Sequence, residues 1–251
     1  NGARPAKNMM LFKVAGMEPT AKVVYAASVG NWIMRHEPEI WARTAKYVML
    51  PTYLNYKLTG NLIDSASNQI GHIPFDYKNR RWMKPGSLTR CFCDVPNEKL
   101  CDLVPSGTVI GTVTDEVCAL TGIPAGLPLI STGSDKGCET LGLAVVDSDK
   151  ASISLGTTAT IQFSTTEYVE PQQFLPAYPG VLNDHYNPEI EIYRGLWLLS
   201  WFVKEFGTAD AIDAKEKGIA PEALLDERIR DLPAGSDGLF LQPYWTAGIL
   251  H

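Results

Sequence analysis

The sequence predicts an α/β protein, because segments typical of strands and of helices follow one another along it. Residues 128–132 form a short apolar stretch bracketed by Pro and Gly, which predicts a buried strand. The run 138–145 that follows carries its apolar residues at helical spacing. Residues 151–155 and 159–163 instead carry apolar side chains at every second position, as strands do. A strand, a helix and a hairpin are therefore expected in this order.

Composition narrows the classes of function. The 251 residues suffice for one large domain or two of ordinary size, and 45% hydrophobic residues supply a substantial core. A net charge of −6 argues against nucleic acid as a partner, because binding to a phosphate backbone needs a basic surface. The apolar runs are too short to span a bilayer, and the amino terminus does not resemble a secretory signal. We therefore expect a cytoplasmic location and no membrane partner.

The five cysteines are expected to be reduced thiols. Cys91 and Cys93 are separated by a single residue, whereas zinc sites usually separate two cysteines by two or more. No matching second pair lies nearby in the sequence. The cysteines therefore predict no zinc site.

The first part of the chain is predicted to be mainly helical. Residues 23–34 favour one helix, and Pro38 suits the first turn of the next. An apolar stripe runs through residues 40–48 and continues, after a break, through 51–58. Gly60 is expected to end this second helix, because glycine adopts the left-handed conformation common after a helix.

Residues 61–69 are polar and predict a loop. Asp64 lies in this loop beside several serine and asparagine residues. Such a cluster can bind a polyhydroxylated ligand, but the same composition also suits a solvated turn. The residues alone leave both interpretations open.

Further helices are predicted on either side of the central stretch. Thr114 suits an N-cap, with Asp115 and Glu116 in the first turn and Gly122 at the end. Residues 167–188 are expected to form a long connection. Later segments of the chain predict a well-buried helix over 196–206, another helix from Pro221 to about residue 232, and a strand over 238–245.

Two turns carry residues suited to chemistry. Asp135 follows the predicted strand 128–132, and loops between strand and helix are where open α/β sheets bind ligands. Gly156, Thr157 and Thr158 form the loop of the predicted hairpin, where backbone amides and hydroxyl groups can bind an anion. Each turn also has a purely structural interpretation, since Asp135 can cap a helix and Gly-Thr-Thr can simply close a hairpin.

The order of four motifs resembles the FGGY carbohydrate kinases. These segments are KYVMLPTYLNYKLTGNLIDSAS with FDYKNRRW, then GTVTDEVCALTGIPAGLPLISTGSDKGCETLG, then SISLGTTATI, and finally GLFLQPYWTAG. Each motif by itself is weak, but their order and separation match the family across nearly the whole chain. Trp245 and Thr246 depart from the family's usual closing motif, which indicates a branch other than the glycerol or xylulose kinases.

The resemblance implies an actin-like, ribonuclease-H-like ATPase fold with two domains, both incomplete in this chain. Residues 1–146 would be the latter part of the amino-terminal, sugar-binding domain, and residues 147–251 the first part of the carboxyl-terminal, ATP-binding domain. The family's first phosphate loop and its adenosine-binding segment do not occur among these residues. We therefore expect a fragment of a longer kinase, and the activity of the isolated chain stays open.

The resemblance also implies roles for single residues. Asp135 matches the catalytic carboxylate, which accepts the proton of the substrate hydroxyl and lies close to the Mg²⁺ of Mg-ATP. Gly156, Thr157 and Thr158 match the loop that binds the ATP phosphates. Asp64 matches an acidic residue of the substrate loop, although Ile63 stands where the family has threonine. Lys136 is a departure beside the catalytic carboxylate and is expected to contact an acidic substrate group or to lower the proton affinity of Asp135.

The expected activity is ATP-dependent phosphorylation of a sugar or polyol hydroxyl, with ATP and Mg²⁺ as the implied ligands. The alternative is a sugar- or nucleotide-binding protein, or an inactive fragment, that keeps the fold without catalysis. An acyl-phosphate or glucose-type kinase of the same superfamily would share the fold, but the Leu-Thr-Gly and Pro-Tyr segments argue against it. The oligomeric state is left open, with a homodimer among the alternatives.

Overall fold

The computed structural model describes residues 6–71, 73–156, 158–172 and 175–242. Within these ranges the helices are α1 Ala6–Val14, α2 Glu18–Ala27, α3 Val29–His36, α4 Pro38–Arg43, α5 Leu50–Thr59, α6 Asp115–Thr121, α7 Asp135–Gly142, α8 Trp197–Phe206, α9 Thr208–Lys217 and α10 Pro221–Ile229. The strands are β1 Ile63–Ser65, β2 Phe75–Asp76, β3 Arg81–Trp82, β4 Asp102–Val104, β5 Val109–Thr112, β6 Pro128–Ile130, β7 Ala151–Leu155, β8 Thr158–Phe163, β9 Tyr178–Pro179, β10 Tyr186–Asn187 and β11 Glu189–Tyr193.

These residues form two compact units. The first unit contains residues 6–152 and 162–189, and the second contains residues 153–161 and 190–242. The chain passes between the units within strands β7, β8 and β11. The domain boundary expected near residue 146 stays a prediction.

The strands of the described residues pair in small sheets. Strand β1 pairs in parallel with β4, which sets Asp64 opposite Leu103. Strands β5 and β6 pair antiparallel, as do β2 with β3 and β9 with β10. Strands β11, β8 and β7 form a three-stranded sheet in that order, so β7 and β8 are neighbours as the predicted hairpin requires.

Several local signals are confirmed. Pro38 is the first residue of α4, and Gly60 ends α5 with a φ of 79°. The Thr114 hydroxyl accepts a hydrogen bond from the amide of Val117 at 3.3 Å and caps α6. Gly122 ends that helix, again with a φ of 79°. These signals succeed because each acts within a few residues of the chain.

The prediction of one continuous helix over residues 23–34 is wrong. The structure has two helices there, α2 and α3, which meet at Ser28. Ser28 has an extended backbone, and its hydroxyl accepts a hydrogen bond from the Asn31 amide at 3.3 Å. A serine that caps a new helix breaks the run, although the apolar spacing on either side continues.

Strand β6 confirms the strand predicted before Asp135, but its predicted burial is wrong. Leu129 is half-buried, and Ile130 is 44% exposed. Burial begins only at Ser131, which is 3% exposed. Among the described residues β6 pairs with β5 alone, so the apolar stretch lies in a two-stranded sheet.

The loop predicted over residues 61–69 is more ordered than its composition indicates. It contains strand β1 and a short 3₁₀ helix over Ala66–Asn68. Ala66 packs in a buried cluster with Ile73 and Phe75, against Trp82 and other partly buried apolar residues. The polar segment is therefore held against the core of the first unit.

Two expectations for the second unit are wrong. Helix α8 was predicted to be well buried, yet only Val203 is buried, and Phe202 and Phe206 are 43% and 68% exposed. The spacing of apolar residues identifies one face of a helix, but not what covers it. The predicted strand over 238–245 is absent from its described part, because residues 239–242 belong to neither a strand nor a helix. Residues 243–245 lie outside the described ranges, as do Trp245 and Thr246.

The length and apolar character of the helices bear on the expectation that no segment crosses a bilayer. No helix among the described residues combines the length and apolar character that crossing a membrane requires.

Candidate functional site

Asp135 is exposed and is the first residue of α7. The cap of this helix is Ser134, whose hydroxyl accepts a hydrogen bond from the amide of Gly137 at 3.2 Å. Asp135 Oδ1 accepts a hydrogen bond from the amide of Lys136 at 2.8 Å. The carboxylate therefore lies at the positive end of the helix, where a negative charge is favourable.

The turn of residues 132–135, called here the Asp135 turn, lies against the polar loop of residues 64–69. The amide of Ser134 donates a hydrogen bond to the carbonyl of Ser67 at 3.0 Å. The Ser67 hydroxyl in turn donates to the carbonyl of Gly180 at 2.6 Å. The structure therefore places the loop of Asp64 beside the turn of Asp135, within the first unit.

Asp64 is buried, with only 3% of its surface exposed, and its carboxylate accepts hydrogen bonds from four residues. The donors are Thr52 Oγ1 at 2.6 Å, the Ser65 amide at 2.8 Å, Asn68 Nδ2 at 3.0 and 3.2 Å, and Gln69 Nε2 at 3.3 Å. Hydrogen-bond donors of this number offset the cost of burying a carboxylate. The substrate-binding role predicted for Asp64 stays a prediction.

Lys136 follows Asp135 in the first turn of α7. Its Nζ lies 3.2 Å from Glu139 Oε2, one turn along the same helix, and both side chains are partly exposed. A pair at this spacing contributes only a few tenths of a kcal/mol, roughly, to helix stability. The Lys136 ammonium group is thus paired with Glu139 on a partly exposed part of the surface of α7.

The hairpin loop of residues 156–158, called here the Gly156 turn, belongs to the second unit, and Thr157 lies outside the described residues. The Gly156 amide donates a hydrogen bond to the Thr158 carbonyl at 3.0 Å. The Gly156 carbonyl accepts one from the amide of Leu196 at 3.1 Å. Because the Gly156 amide is engaged within the hairpin, an anion bound in this turn would use other amides or the Thr158 hydroxyl.

Gly195 packs directly against the Gly156 turn. A Cβ atom added to Gly195 would lie 2.0 Å from the carbonyl oxygen of Gly156 and 2.7 Å from that of Thr158. Both atoms belong to the backbone, so no flexible side chain could move aside to make room. Position 195 therefore requires glycine while the turn keeps this conformation.

The five cysteines are free, as predicted. Cys91, Cys93 and Cys101 are buried, and burial raises the pKa of each thiol, that of Cys101 to about 11. A raised pKa keeps these thiols protonated and poorly reactive at neutral pH. Within the described residues, no three His, Cys, Asp or Glu side chains converge as a metal-binding group would.

Sequence reasoning missed four residues that shape the two turns. Thr52, Ser106 and Val181 contact the polar loop or the Asp135 turn, and Gly195 contacts the Gly156 turn. None carried a distinct signal, since even Thr52 is one of several polar residues in helix α5. The others lie far along the chain from the turns that they contact.

Comparison with known families identifies a match over more than half of the chain. Residues 11–142 match the amino-terminal domain of the FGGY family of carbohydrate kinases. An uncharacterized sugar kinase, YgcE, of Escherichia coli K12 is 31% identical over 194 residues, which are 77% of this chain and 39% of that protein. The autoinducer-2 kinase of Klebsiella pneumoniae is 29% identical over 211 residues, which are 83% of this chain and 39% of that protein. This chain thus spans about two fifths of these relatives.

A solved structure shows the same fold. The crystal structure of gluconate kinase from Lactobacillus acidophilus superposes with a TM-score of 0.72 at 21% identity, over 94% of this chain and 47% of that one. Together with the helices and strands described above, this likeness confirms the predicted α/β, actin-like fold class.

Proposed function

The chain belongs to the FGGY family of carbohydrate kinases, and we propose that its protein transfers the γ-phosphoryl group of ATP to a hydroxyl group of a sugar or polyol. One observation carries the proposal above the others. The family match of residues 11–142 ends in the helix that Asp135 opens, and this carboxylate is exposed. An exposed carboxylate at the start of a helix is accessible to a substrate hydroxyl group.

In this proposal Asp135 is the general base. Its carboxylate accepts the proton of the attacking hydroxyl as the new bond to phosphorus forms. The Lys136 amide, which donates to Oδ1, holds the side chain in one orientation. Phosphoryl transfer makes modest demands on base strength, because positioning and electrostatics supply most of the rate.

Asp135 is also the residue proposed to hold Mg²⁺. Magnesium prefers oxygen ligands and usually binds through one or two carboxylates, with water and substrate phosphates completing its shell. A single exposed carboxylate therefore fits the ion without a cluster of protein ligands. When bound, the ion would neutralise charge on the phosphate oxygens.

The Gly156 turn is the proposed contact for the ATP phosphates. The hydroxyl of Thr158, and that of Thr157 as its sequence implies, are donors of the kind that phosphate oxygens accept. Hydrogen bonds from Leu196 and within the hairpin fix the Gly156 backbone before any ligand arrives. A turn held in this way would bind phosphate at little cost in ordering.

The substrate is proposed to be a sugar, a polyol or a sugar acid. One relative is named an autoinducer-2 kinase, and the solved structure is named a gluconate kinase. The two substrates in these names differ in charge. Lys136 is proposed to favour an acidic substrate, since it follows Asp135 in the first turn of α7 and carries a partly exposed ammonium group, which is paired with Glu139. A panel that includes both neutral and acidic substrates separates these classes.

The test is Asp135→Asn in the complete protein, assayed for ATP-dependent phosphorylation of pentuloses, hexoses, polyols and sugar acids. Loss of the base is expected to lower kcat by about a hundredfold or more. Asp115→Asn is the matched control, because Asp115 also is an exposed first residue of a capped helix. That variant is expected to keep full activity.

Two results would contradict the proposal. Undiminished turnover by Asp135→Asn would exclude this residue as the base. A wild-type protein that binds a sugar from the panel but phosphorylates none would indicate the alternative, a binding protein that keeps the kinase fold.

A further inference from the structure

The buried carboxylate of Asp64 has its hydrogen-bonding capacity filled by the protein itself. Oδ2 accepts from Thr52 and Gln69, Oδ1 accepts from the Ser65 amide, and Asn68 Nδ2 spans both oxygens. A carboxylate accepts at about four lone-pair sites. A sugar hydroxyl would therefore have to displace one of these donors in order to bind Asp64.

These donors hold the polar loop in one conformation. Three of them belong to the loop that follows Asp64, namely Ser65, Asn68 and Gln69, whereas Thr52 belongs to helix α5. Gln69 also donates to the Ser65 carbonyl at 3.1 Å, which closes the loop on itself. The carboxylate therefore ties the loop both to itself and to α5.

The same loop holds the Asp135 turn at two points. The Ser67 carbonyl accepts from the Ser134 amide at 3.0 Å, immediately before Asp135. The Ser65 hydroxyl lies 3.0 Å from the Ser106 hydroxyl, which donates to the Thr132 carbonyl at 2.9 Å. The two contacts lie on either side of Gly133.

Gly133 shows how closely the turn is packed. A Cβ atom at Gly133 would lie 2.7 Å from Val181 Cγ2 and 3.4 Å from Ser67 Cβ. Both the loop and Val181 are thus packed closely against the turn at Gly133. A shift of the loop would carry the turn, and Asp135 with it.

We infer that Asp64 is a positioning residue for Asp135, which acts by fixing the loop that holds the Asp135 turn, and is not a direct contact of the sugar. This inference deepens the proposed function and rests on it for the role of Asp135. Hydrogen bonds to Asp64 from the Thr52 hydroxyl, the Ser65 backbone amide and the Asn68 side-chain amide fix the loop. The hydrogen bond from the Ser134 amide to the Ser67 carbonyl connects the loop to the Asp135 turn.

The test uses Asp64→Asn in the complete protein. Asparagine keeps the shape of the side chain but replaces one accepting oxygen of Asp64 with a donating NH₂ group. That group would face the protein donors that now bond to the oxygen. Amide hydrogen exchange at Ser134 is expected to quicken by about tenfold, because its hydrogen bond to Ser67 loses support. The Val117 amide, which is held by the Thr114 cap of α6, is the internal control and is expected not to change.

Thr52→Val is the milder variant and decides the matter if Asp64→Asn does not fold. It removes one donor to Asp64 and leaves a side chain of similar shape in a buried position. Exchange at Ser134 is expected to quicken by about fivefold, again without change at Val117. Unchanged exchange at Ser134 in a folded variant would overturn the inference.

Kinetics separate positioning from direct contact. In an active protein, Asp64→Asn is expected to lower kcat while the KM for the sugar stays within about twofold, since a misplaced base slows the chemical step. A rise in KM with kcat unchanged would instead show that Asp64 contacts the sugar. If the wild-type protein phosphorylates nothing, the proposed function fails, yet the exchange experiment still tests the link from Asp64 to Ser134.

Discussion

The Asp135 turn and the Gly156 turn are built in different ways. The Asp135 turn follows β6 and is held by hydrogen bonds with distant residues: its Ser134 amide donates to the Ser67 carbonyl, and the Ser106 hydroxyl donates to its Thr132 carbonyl. The Gly156 turn joins β7 to β8 and is held by its own hairpin and by the close approach of Gly195 and Leu196. The first turn is supported by side-chain hydrogen bonds in addition to one backbone bond, whereas close backbone packing supports the second.

The difference indicates how each turn responds to change. A network of hydrogen bonds can lose its outer members one at a time, so a substitution that removes a single hydroxyl group is expected to have a modest and graded effect. A backbone in van der Waals contact with another backbone cannot yield to an added atom. We therefore expect a single substitution against the Gly156 turn to lower stability strongly, and single substitutions around the Asp135 turn to lower it in small steps.

The largest effect is expected from Gly195→Ala. The added methyl group would lie 2.0 Å from the Gly156 carbonyl oxygen, so the hairpin or the start of α8 must move. The free energy of unfolding is expected to fall by about 3 kcal/mol, as for severe overpacking. Urea denaturation measures the change, and the KM for ATP is expected to rise if the turn binds phosphate.

Gly142→Ala is the control for this prediction. Gly142 ends helix α7, and a Cβ atom there would meet nothing within 4 Å. Alanine favours a helix more than glycine does, so this variant is expected to be as stable as the wild type or slightly more stable. Equal stability of the two variants would show that the close approach of Gly195 does not constrain the turn.

The second prediction concerns pH and Cys101, a buried thiol that is close enough to Asp64 to sense its charge. Burial, with a smaller contribution from the negative charge of Asp64, raises the pKa of Cys101 from its ordinary value of 9.0 to about 11. A protonated thiol is therefore favoured in the folded state, so its contribution to stability is complete below pH 9 and is lost as the pH rises to 11. The loss is expected to reach roughly 2 kcal/mol by pH 11.

Urea denaturation between pH 8 and pH 11 measures this loss, with Cys101→Ala as the reference. Other groups titrate in the same range, so the informative quantity is the difference in slope between wild type and variant. The variant is expected to lose less stability as the pH rises. Parallel curves would show that Cys101 titrates alike in the folded and unfolded states.

The smallest effect is expected from Ser134→Ala. This change removes the hydroxyl that accepts from the Gly137 amide but keeps the Ser134 amide that donates to Ser67. The loss of a helix cap is expected to lower the free energy of unfolding by about 1 kcal/mol. Thr114→Ala, which removes the equivalent cap of α6, is expected to cost the same.

Thermal or urea unfolding of both variants tests the graded character of the Asp135 turn. A cost for Ser134→Ala several times that of Thr114→Ala would show that the Ser134 side chain supports more than its own helix. The turn would then resemble the Gly156 turn in its sensitivity, and the contrast between them would be lost.

Local signals predicted much of the fold. The cap at Thr114, the helix ends at Gly60 and Gly122, and the strands on either side of Gly156 all appear as expected. Each depends on residues close together in the chain. The same reasoning failed for the burial of α8 and β6, because burial depends on which other segments pack against an element.

The sequence by itself determined that a carboxylate, Asp135, follows a strand and opens a helix, and that a glycine turn joins two strands. It also identified Asp64 as a candidate site residue, but it did not predict the hydrogen bonds that Asp64 accepts. Only the tertiary structure brought Thr52 to Asp64, Ser67 to Ser134 and Gly195 to Gly156. Such contacts join residues from 12 to 67 positions apart, and no local pattern encodes them, since they exist only when both segments pack on a common core.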